Sequence, residues 1–396
     1  MRVLQVSNRL ELKQIMREIK VDPCGIKIMS PKAVSHLVRI NSLSNIAANI
    51  LKQEMLSLGG DVAIARDALT GKAKKTDCLL MANLAQFDRL NQKLNRQPFG
   101  LDKIAGDLSR ALDNYQRDNF VISLGRYRLN LGLRAHIAGV VNITPDSFSG
   151  DGLCRIAPDE IVDFVEKMVR DGADIIEVGG ESSRPGAKAV AVKEELKRVI
   201  PAIKKIAKKI KVPLAVDTCK PEVALAALDN GAVIINDITG LRNPKMSKLA
   251  ARYNAGVVIM HMKGSPRTMQ KNPAYVSLID EISGYLSKAV ESACSSGIDR
   301  EKIIIDPGIG FGKALGHNLE ILRRLGEFKS LGRPIMVGTS RKSFIGKIIN
   351  AGPKDRIFGT VASCVLAVKN GARIVRVHDV REVKQALKVL DSANRL

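Results

Sequence analysis

The chain has 396 residues, enough for a barrel of about 250 residues and a second, smaller domain. Hydrophobic residues make up 45% and charged residues 26%, a composition typical of a globular protein. Aromatic residues account for only 4%, which argues against a base-stacking nucleic-acid surface. The net charge of +23 is consistent with a lysine-rich solvated surface or with steering of an anionic substrate into a positive cleft.

The cysteine pattern and the lack of long apolar runs predict a soluble, cytoplasmic protein that does not bind membrane. The few aromatic residues and the dispersed basic residues predict that it does not bind nucleic acid. No cysteine pair has C-x-x-C or zinc-site spacing, which favours reduced thiols. The amino terminus lacks the apolar core of a signal peptide, and no apolar stretch approaches the ~18 residues of a membrane span. The cysteines in question are Cys24, Cys78, Cys154, Cys219, Cys294 and Cys364.

Residues 1–118 are predicted to form a small α/β domain whose role the sequence does not indicate. The segment has no defensible catalytic motif. Apolar residues recur at helical spacing in four stretches, and three short apolar runs resemble strands. The predicted helices cover residues 11–19, 42–59, 79–94 and 101–116, and the predicted strands cover residues 2–6, 25–29 and 61–65.

The remainder of the chain predicts a (β/α)8 barrel. Residues 119–136 alternate partly between apolar and polar and are interpreted as a hairpin leading into it. From residue 137 to 396, eight β-branched apolar runs each end in a polar cluster, with helical segments between them. Continuous apolar runs are typical of buried parallel strands, and functional residues of such barrels collect where strands meet the following loops. The runs begin near residues 138, 174, 213, 232, 256, 302, 334 and 373.

The first two strand-end loops carry groups for a cation and an anion. Residues 142–152 are rich in oxygen ligands, which hard cations such as Mg²⁺ prefer. Residues 179–186 combine glycines with Arg184, whose guanidinium can hold an anion as a fork.

Three later strands end in Asp217, Asn236 and Asp306. Polar side chains at such positions need hydrogen-bond partners, and a nitrogen-rich heterocycle offers a matching set of donors and acceptors. The glycine-rich segment 306–313 has neither the P-loop pattern nor the full dinucleotide-binding spacing.

The last two strands are followed by basic and hydroxyl groups suited to pyrophosphate. These barrels frequently bind phosphate after strands seven and eight. The residues are Ser340, Arg341, Lys342, Arg376 and His378.

These motifs, in this order, resemble dihydropteroate synthase over roughly residues 136–395. The resemblance implies condensation of 6-hydroxymethyl-7,8-dihydropterin pyrophosphate with p-aminobenzoate to give 7,8-dihydropteroate and pyrophosphate in folate biosynthesis. It also implies a homodimer and an Mg²⁺ cofactor. The motifs are NITPDSFSGDG, GGESSRPG, VDT, IND, MHMKGSPRTMQ, DPGIGFGK, SRKSFIG and RVHDV.

The resemblance also implies roles for individual residues. The pterin contacts would be Asp217, Asn236, Asp306 and Lys342, with Met260 against the ring. Asn142 would ligate Mg²⁺, and pyrophosphate would contact Arg184, Arg376 and His378. The amine would lie among Ser183, Pro185, Phe311, Ser340 and Lys342, with Arg341 nearby. Of these residues, the catalytic ones would be Asp217, Asp306, Lys342, Arg376 and His378.

Two departures and two alternatives accompany this interpretation. Ser183 replaces the usual Thr of the family and Glu177 the usual Asp, so the loop geometry and the amine affinity are open.

A pterin-dependent methyltransferase acting on a corrinoid protein would share the strand-end Asp and Asn residues without needing the phosphate clusters. A non-catalytic pterin-binding protein could use residues 1–118 as a partner module. The sequence leaves open whether p-aminobenzoate or a modified aryl amine is the acceptor.

Overall fold

The computed structural model describes residues 1–4, 6, 9–132, 134–144, 158–182, 184 and 186–393. They divide into two compact units, Met1–Asp113 and Asn114–Leu396. Within the described part of the chain, no helix combines the length and apolar character needed to cross a bilayer.

The first unit is the small α/β fold that the sequence predicts. Its three strands form an antiparallel sheet in the order β1-β3-β2. Leu51, Phe87 and Leu90 are among the fully buried residues of its core. The strands are β1 (Ser35–Ser44), β2 (Asp61–Ile64) and β3 (Lys75–Asn83). The helices are α1 (Arg9–Glu18), α2 (Pro23–Met29), α3 (Asn45–Ser57), α4 (Arg66–Leu69), α5 (Leu84–Leu94) and α6 (Leu101–Gln116).

Several predicted elements of this unit are wrong. Residues 25–29 lie in α2 because Asp22 caps a helix there, its side chain accepting from the Cys24 N–H at 2.8 Å. Residues 79–83 lie in β3, where alternate side chains are buried, and helix α5 begins only after the Asn83 cap. β1 was not predicted, and the described part of residues 2–6 forms no strand. Short apolar runs do not distinguish strands from helices by periodicity alone.

The second unit contains the predicted barrel. Eight parallel strands close in the order β6 to β13, and the helices α7 to α15 follow or separate them. The strands are β6 (His136–Asn142), β7 (Ile175–Gly179), β8 (Leu214–Asp217), β9 (Ile234–Asp237), β10 (Gly256–Met260), β11 (Ile303–Asp306), β12 (Ile335–Val337) and β13 (Ala372–Val377). The helices are α7 (Pro158–Asp171), α8 (Val192–Lys209), α9 (Pro221–Asp229), α10 (Pro244–Arg252), α11 (Leu278–Ser295), α12 (Leu315–Arg323), α13 (Ser343–Ile349), α14 (Ile357–Lys369) and α15 (Val380–Ala393).

A hairpin of β4 (Val121–Leu124) and β5 (Tyr127–Asn130) packs against the amino-terminal end of the barrel. Its apolar side chains share a buried cluster with residues near the strand starts, such as Ile175 and Ile234. Gly256, at the start of β10, makes room for this packing, since a Cβ there would lie 2.8 Å from Leu124. The amino-terminal end of the barrel is therefore apolar and filled, which leaves the carboxyl ends of the strands for polar side chains.

Candidate active site

A cavity of about 350 Å³ lies at the carboxyl ends of the barrel strands. Most residues that the sequence singled out line it, and they come from strands distant in the chain. The predicted residues on its wall are Asn142, Arg184, Asp217, Phe311, Ser340, Arg341, Lys342, Arg376 and His378.

Strand register places several of these residues in one layer. Asn142 pairs with Gly179, Gly179 with Asp217, and Asp217 with Asn236, so four neighbouring strands end at the same height. Gly179 contributes no side chain to this layer, which keeps the space between Asn142 and Asp217 open to the cavity.

Three predicted residues are buried and do not line the cavity: Asn236, Met260 and Asp306. Asp306 Oδ1 accepts a hydrogen bond from the Gly308 N–H at 2.7 Å, and Met260 shares an apolar cluster with Phe311. Asn236 Nδ2 donates to a neighbouring carboxylate, whereas its Oδ1 has no hydrogen-bond partner in the described part of the chain. A buried acceptor without a partner is costly, so this oxygen is a place where a ligand N–H would add stability.

Glu177 is a cavity residue that the predicted site omitted. It accepts from Asn236 Nδ2 at 3.1 Å and pairs with Arg376 Nη1 at 3.5 Å. Glu177 is 2% exposed, so it links the strand-end amide to the guanidinium inside the protein. The sequence did contain a signal for Glu177. It is an acidic residue within the apolar run DIIEV, and a buried carboxylate requires partners.

The carboxylates on this side hold protons more tightly than usual. Burial raises the pKa of Glu177, although Arg376 opposes the rise. Burial and the nearby Glu177 charge raise the pKa of Asp217 to about 8. Burial by itself would lower the pKa of Arg376, but the surrounding carboxylates outweigh it and raise that pKa. The guanidinium therefore stays charged, and of the carboxyl groups near it Asp217 changes protonation state at about pH 8.

Lys342 contributes an ammonium group on the opposite wall. Its Nζ donates to the Ile309 carbonyl and lies 4.7 Å from the centre of the Phe311 ring. Burial, and secondly the charge of Arg376, lower the pKa of Lys342 to about 7. Gly310 allows this approach, since a Cβ at that position would lie 3.1 Å from the Lys342 Cδ.

His378 connects the first and seventh strand ends. Asn142 Nδ2 lies 3.2 Å from His378 Nε2, and Ser340 Oγ lies 3.0 Å from His378 Nδ1. If Asn142 donates to Nε2, the imidazole carries its proton on Nδ1 and donates to Ser340. The Asn142 amide oxygen is then the atom left to bind a cation.

The loop after β7 is anchored by partly buried ion pairs. Glu181 accepts a hydrogen bond from the Val190 N–H at 3.3 Å and pairs with Lys220. Lys220 also pairs with the fully buried Glu195 of α8. This network holds both ends of the segment that carries Arg184, although the sequence offered no signal for it.

Two predicted amine contacts, Ser183 and Pro185, lie outside the described residues, as do residues 145–157 of the first loop. Their assignment stays a prediction. The structure adds cavity residues that the sequence analysis did not select, including Thr144, Ser182, Met269, Pro353 and Arg356.

Comparisons with known proteins were consistent with this geometry. The family described as pterin binding enzyme matches residues 138–378. The dihydropteroate synthase of Escherichia coli K12 is 45% identical over 257 residues, covering 65% of this chain and 91% of that protein. A crystal structure of Yersinia pestis dihydropteroate synthase in a sulfonamide drug complex has a TM-score of 0.68 and 39% identity, covering 70% of this chain and 100% of that one.

A longer relative also matches much of the first unit. The probable bifunctional folylpolyglutamate synthase/dihydropteroate synthase of Halobacterium salinarum is 39% identical over 383 residues, which is 96% of this chain. This chain spans 46% of the length of that relative. The amino-terminal unit is thus part of the shared sequence, outside the region of the pterin-binding match.

Proposed function

We propose that this chain, which belongs to the dihydropteroate synthase family of pterin-binding enzymes, condenses 6-hydroxymethyl-7,8-dihydropterin pyrophosphate with p-aminobenzoate. As a member of that family it is a transferase, and the products are 7,8-dihydropteroate and pyrophosphate. The observation that carries the proposal is one cavity lined by both carboxyl and cationic groups. The carboxyl groups are Glu177 and Asp217, and the cationic groups are Lys342 and Arg376, the latter paired with Glu177.

We assign the pterin to the carboxylate side. Its ring N–H groups can donate to Asp217, which lines the cavity. The further pterin contacts, Asp306 and Asn236 Oδ1, lie behind the cavity wall and are assigned from the sequence resemblance. Positive charge grows on the pterin as its methylene–oxygen bond breaks. Buried carboxylates stabilise that charge more strongly than water does, because few mobile dipoles screen them.

The reaction itself is a displacement at the methylene carbon. The lone pair of the aryl amine forms the new C–N bond while the C–O electron pair leaves with pyrophosphate. Arg376 and Lys342 can stabilise the charge on that leaving group, and Arg184 adds a third donor. His378 can contribute when its imidazole is protonated on both nitrogens and turns Nε2–H from Asn142 toward the pyrophosphate. An aryl amine is already unprotonated near neutral pH, so the step needs no strong general base. The amine proton is lost to solvent after bond formation.

We place p-aminobenzoate against Phe311 and Lys342, with Ser340 at the seventh strand end. The ring of the amine can pack on Phe311, and the Lys342 ammonium can attract its carboxylate or bridge to the pterin. Ser183 and Pro185 complete the site in this proposal, which for those two residues rests on the sequence resemblance.

The residues also fit a Mg²⁺ ion at the edge of the cavity. Asn142 offers an amide oxygen, and Mg²⁺ commonly keeps several waters and binds through one or two protein oxygens plus substrate phosphates. Within the described ranges, His, Cys, Asp and Glu form no cluster that could hold a metal by itself, so the substrate phosphates would supply most of the remaining ligands. When bound, the ion neutralises pyrophosphate charge.

Chelation should therefore suppress turnover. We expect exhaustive treatment with a chelator to lower dihydropteroate formation at least tenfold, with recovery on adding Mg²⁺ but not on adding Na⁺. The measurement is initial-rate pyrophosphate release at fixed ionic strength. Unchanged turnover in the metal-free protein would remove the metal from the proposal.

A steady-state assay of pyrophosphate release tests the function as a whole. A synthase releases pyrophosphate only when p-aminobenzoate is present and forms dihydropteroate in equal amount. A non-catalytic pterin-binding protein binds the pterin pyrophosphate without release. A corrinoid methyltransferase turns over neither substrate, and either of these last results would replace the proposed function.

The amino-terminal unit is expected to be dispensable for the chemistry. Every proposed site residue lies in the second unit, Asn114–Leu396. A chain that starts at Asn114 contains all of them. We expect its kcat/KM to stay within about threefold of the full-length value. A monodisperse, folded barrel without activity would show that the first unit completes the site.

Two further properties remain predictions. We propose a homodimer, which sedimentation equilibrium of the purified chain would test against a monomer. We also propose a cytoplasmic location, which fractionation of the source cells would test.

A further inference from the structure

Arg341 has a left-handed backbone conformation between two cavity residues. Its φ is +56°, and its neighbours Ser340 and Lys342 both line the cavity. Residues other than glycine adopt this conformation infrequently because the Cβ meets the following backbone. Such strain persists only where the surroundings hold it, and it concentrates at functional sites.

Three separate partners hold Arg341. Its backbone N–H donates to Thr360 Oγ1 at 3.0 Å, and its carbonyl accepts from Arg356 Nη1 at 2.9 Å. Its guanidinium pairs with Asp379, with Nε donating to Oδ2 at 3.0 Å. Both backbone polar groups and the side chain are therefore fixed by residues far away in the sequence.

The two backbone partners form a rigid unit at the start of α14. Thr360 is fully buried, and its N–H donates to the Arg356 carbonyl at 2.8 Å. Arg356 Nε also donates to the Ala351 carbonyl at 3.0 Å. The Arg356 guanidinium lies directly on Gly346 of α13, where a Cβ would be only 2.3 Å from Nη2. This packing ties α14 to the helix that begins immediately after Lys342.

We infer that Arg356 and Thr360 are positioning residues that hold Arg341 in its left-handed conformation and so direct Ser340 and Lys342 into the cavity. The inference rests on the proposed function for its kinetic consequences. A turn in which the Lys342 N–H donates to the Thr339 carbonyl at 3.2 Å depends on this conformation. If Arg341 relaxes to negative φ, the adjoining peptide planes rotate and the Lys342 side chain leaves its direction toward Phe311.

Thr360 gives the cleaner test, because Arg356 also lines the cavity. Thr360→Val keeps the side-chain shape but removes the acceptor for Arg341 N–H. We expect it to lower kcat/KM for p-aminobenzoate at least fivefold. Thr360→Ser, which keeps the hydroxyl, should stay within twofold of wild type.

Ser363→Ala is the control variant. It removes a hydrogen bond to the Thr360 carbonyl in the same helix, and its kcat/KM should also stay within twofold of wild type. If the valine variant does not fold, Thr360→Ala is compared with Thr360→Ser, since those two differ only in the hydroxyl.

A double-mutant cycle separates positioning from general stabilisation. Glycine adopts positive φ without the Cβ penalty, so in an Arg341→Gly background the loss caused by Thr360→Val should shrink to less than twofold. An equal fold-loss in both backgrounds would overturn the inference, because Thr360 would then act independently of the strain.

Hydrogen exchange provides a test without substrates. The Arg341 amide should exchange at least tenfold faster in Thr360→Val than in wild type or Ser363→Ala, and unchanged protection would overturn the inference. If the wild-type protein makes no dihydropteroate, the proposed function fails while this measurement still decides whether Thr360 holds Arg341.

Discussion

Lys342→Ala is expected to lower kcat/KM for dihydropteroate formation by more than tenfold, which corresponds to a loss of about 1.4 kcal/mol of transition-state stabilisation. The ammonium group lies 4.7 Å from the Phe311 ring centre and lines the same cavity as Arg376. Its removal takes a positive charge from the place where the amine carboxylate and the leaving group are proposed to meet. The fold should persist, because the Lys342 side chain is only half-buried and makes no capping hydrogen bond to helix α13. Its hydrogen bond to the Ile309 carbonyl lies at the cavity wall.

Lys347→Ala is the matched control for this prediction. Lys347 is exposed on the same helix, α13, so the substitution makes the same change in net charge outside the cavity. Its kinetics should remain within twofold of wild type. Circular dichroism and thermal melting check that both variants are folded. Near wild-type kinetics in a folded Lys342→Ala protein would rule out the assignment.

Asp217→Asn is expected to weaken pterin binding while stabilising the folded protein at alkaline pH. Above about pH 8, where Asp217 is ionised, a hydrogen bond to this charged group contributes roughly 1.5–3 kcal/mol, so the neutral amide should raise the Kd of the pterin pyrophosphate there by about 10- to 150-fold. The substitution keeps the size of the side chain. Isothermal titration calorimetry of pterin pyrophosphate without p-aminobenzoate measures the loss directly.

The stability gain follows from the raised pKa of Asp217, about 8 in the folded protein. Between the ordinary Asp pKa and pH 8, the folded state holds a proton that the unfolded state has released, so stability falls as pH rises. This destabilisation is nearly absent at pH 4, grows with pH and is complete above about pH 8. The asparagine variant lacks it and should melt at least about 2 °C higher than wild type at pH 8, with a smaller difference at pH 5.

Asp163→Asn tests whether the gain comes from the site. Asp163 is exposed on α7, so its substitution makes the same chemical change without altering the cavity. We expect no pH-dependent difference in Tm for this variant. A Tm difference for Asp217→Asn that is the same at pH 5 and pH 8 would contradict the role given to the buried carboxyl group.

The sequence by itself determined the barrel and nine of the residues that line its cavity. Each barrel strand is a short apolar run that ends in a polar residue or is followed by one within a few positions, and this local pattern is visible in the sequence. The predicted starts near 138 and 256 correspond to β6 at His136 and β10 at Gly256. Because parallel strands of a closed barrel end on one face, the polar ends of distant runs had to converge, and Asp217, Lys342 and Arg376 do line one cavity.

The sequence patterns gave wrong predictions where the same local pattern fits both a helix and a strand. Residues 79–83 are apolar enough for either a helix or a strand, and pairing with β1 and β2 decided for the strand. A short apolar run gains its hydrogen bonds from partners distant in sequence, so its own residues cannot settle the outcome. Residues 25–29 were different, since Asp22 and Pro23 were available as helix-start signals.

Only the tertiary structure decided which site residues line the cavity and which partners each of them has. It placed Asn236 and Asp306 beneath the cavity wall and brought Glu177 between Asn236 and Arg376. It also brought Thr360 to the backbone of Arg341, at a sequence separation that no motif spans. Burial, hydrogen-bond partners and pKa depend on the groups that surround a side chain in space. A linear sequence records which of these groups exist, and the packing of the barrel determines which of them meet.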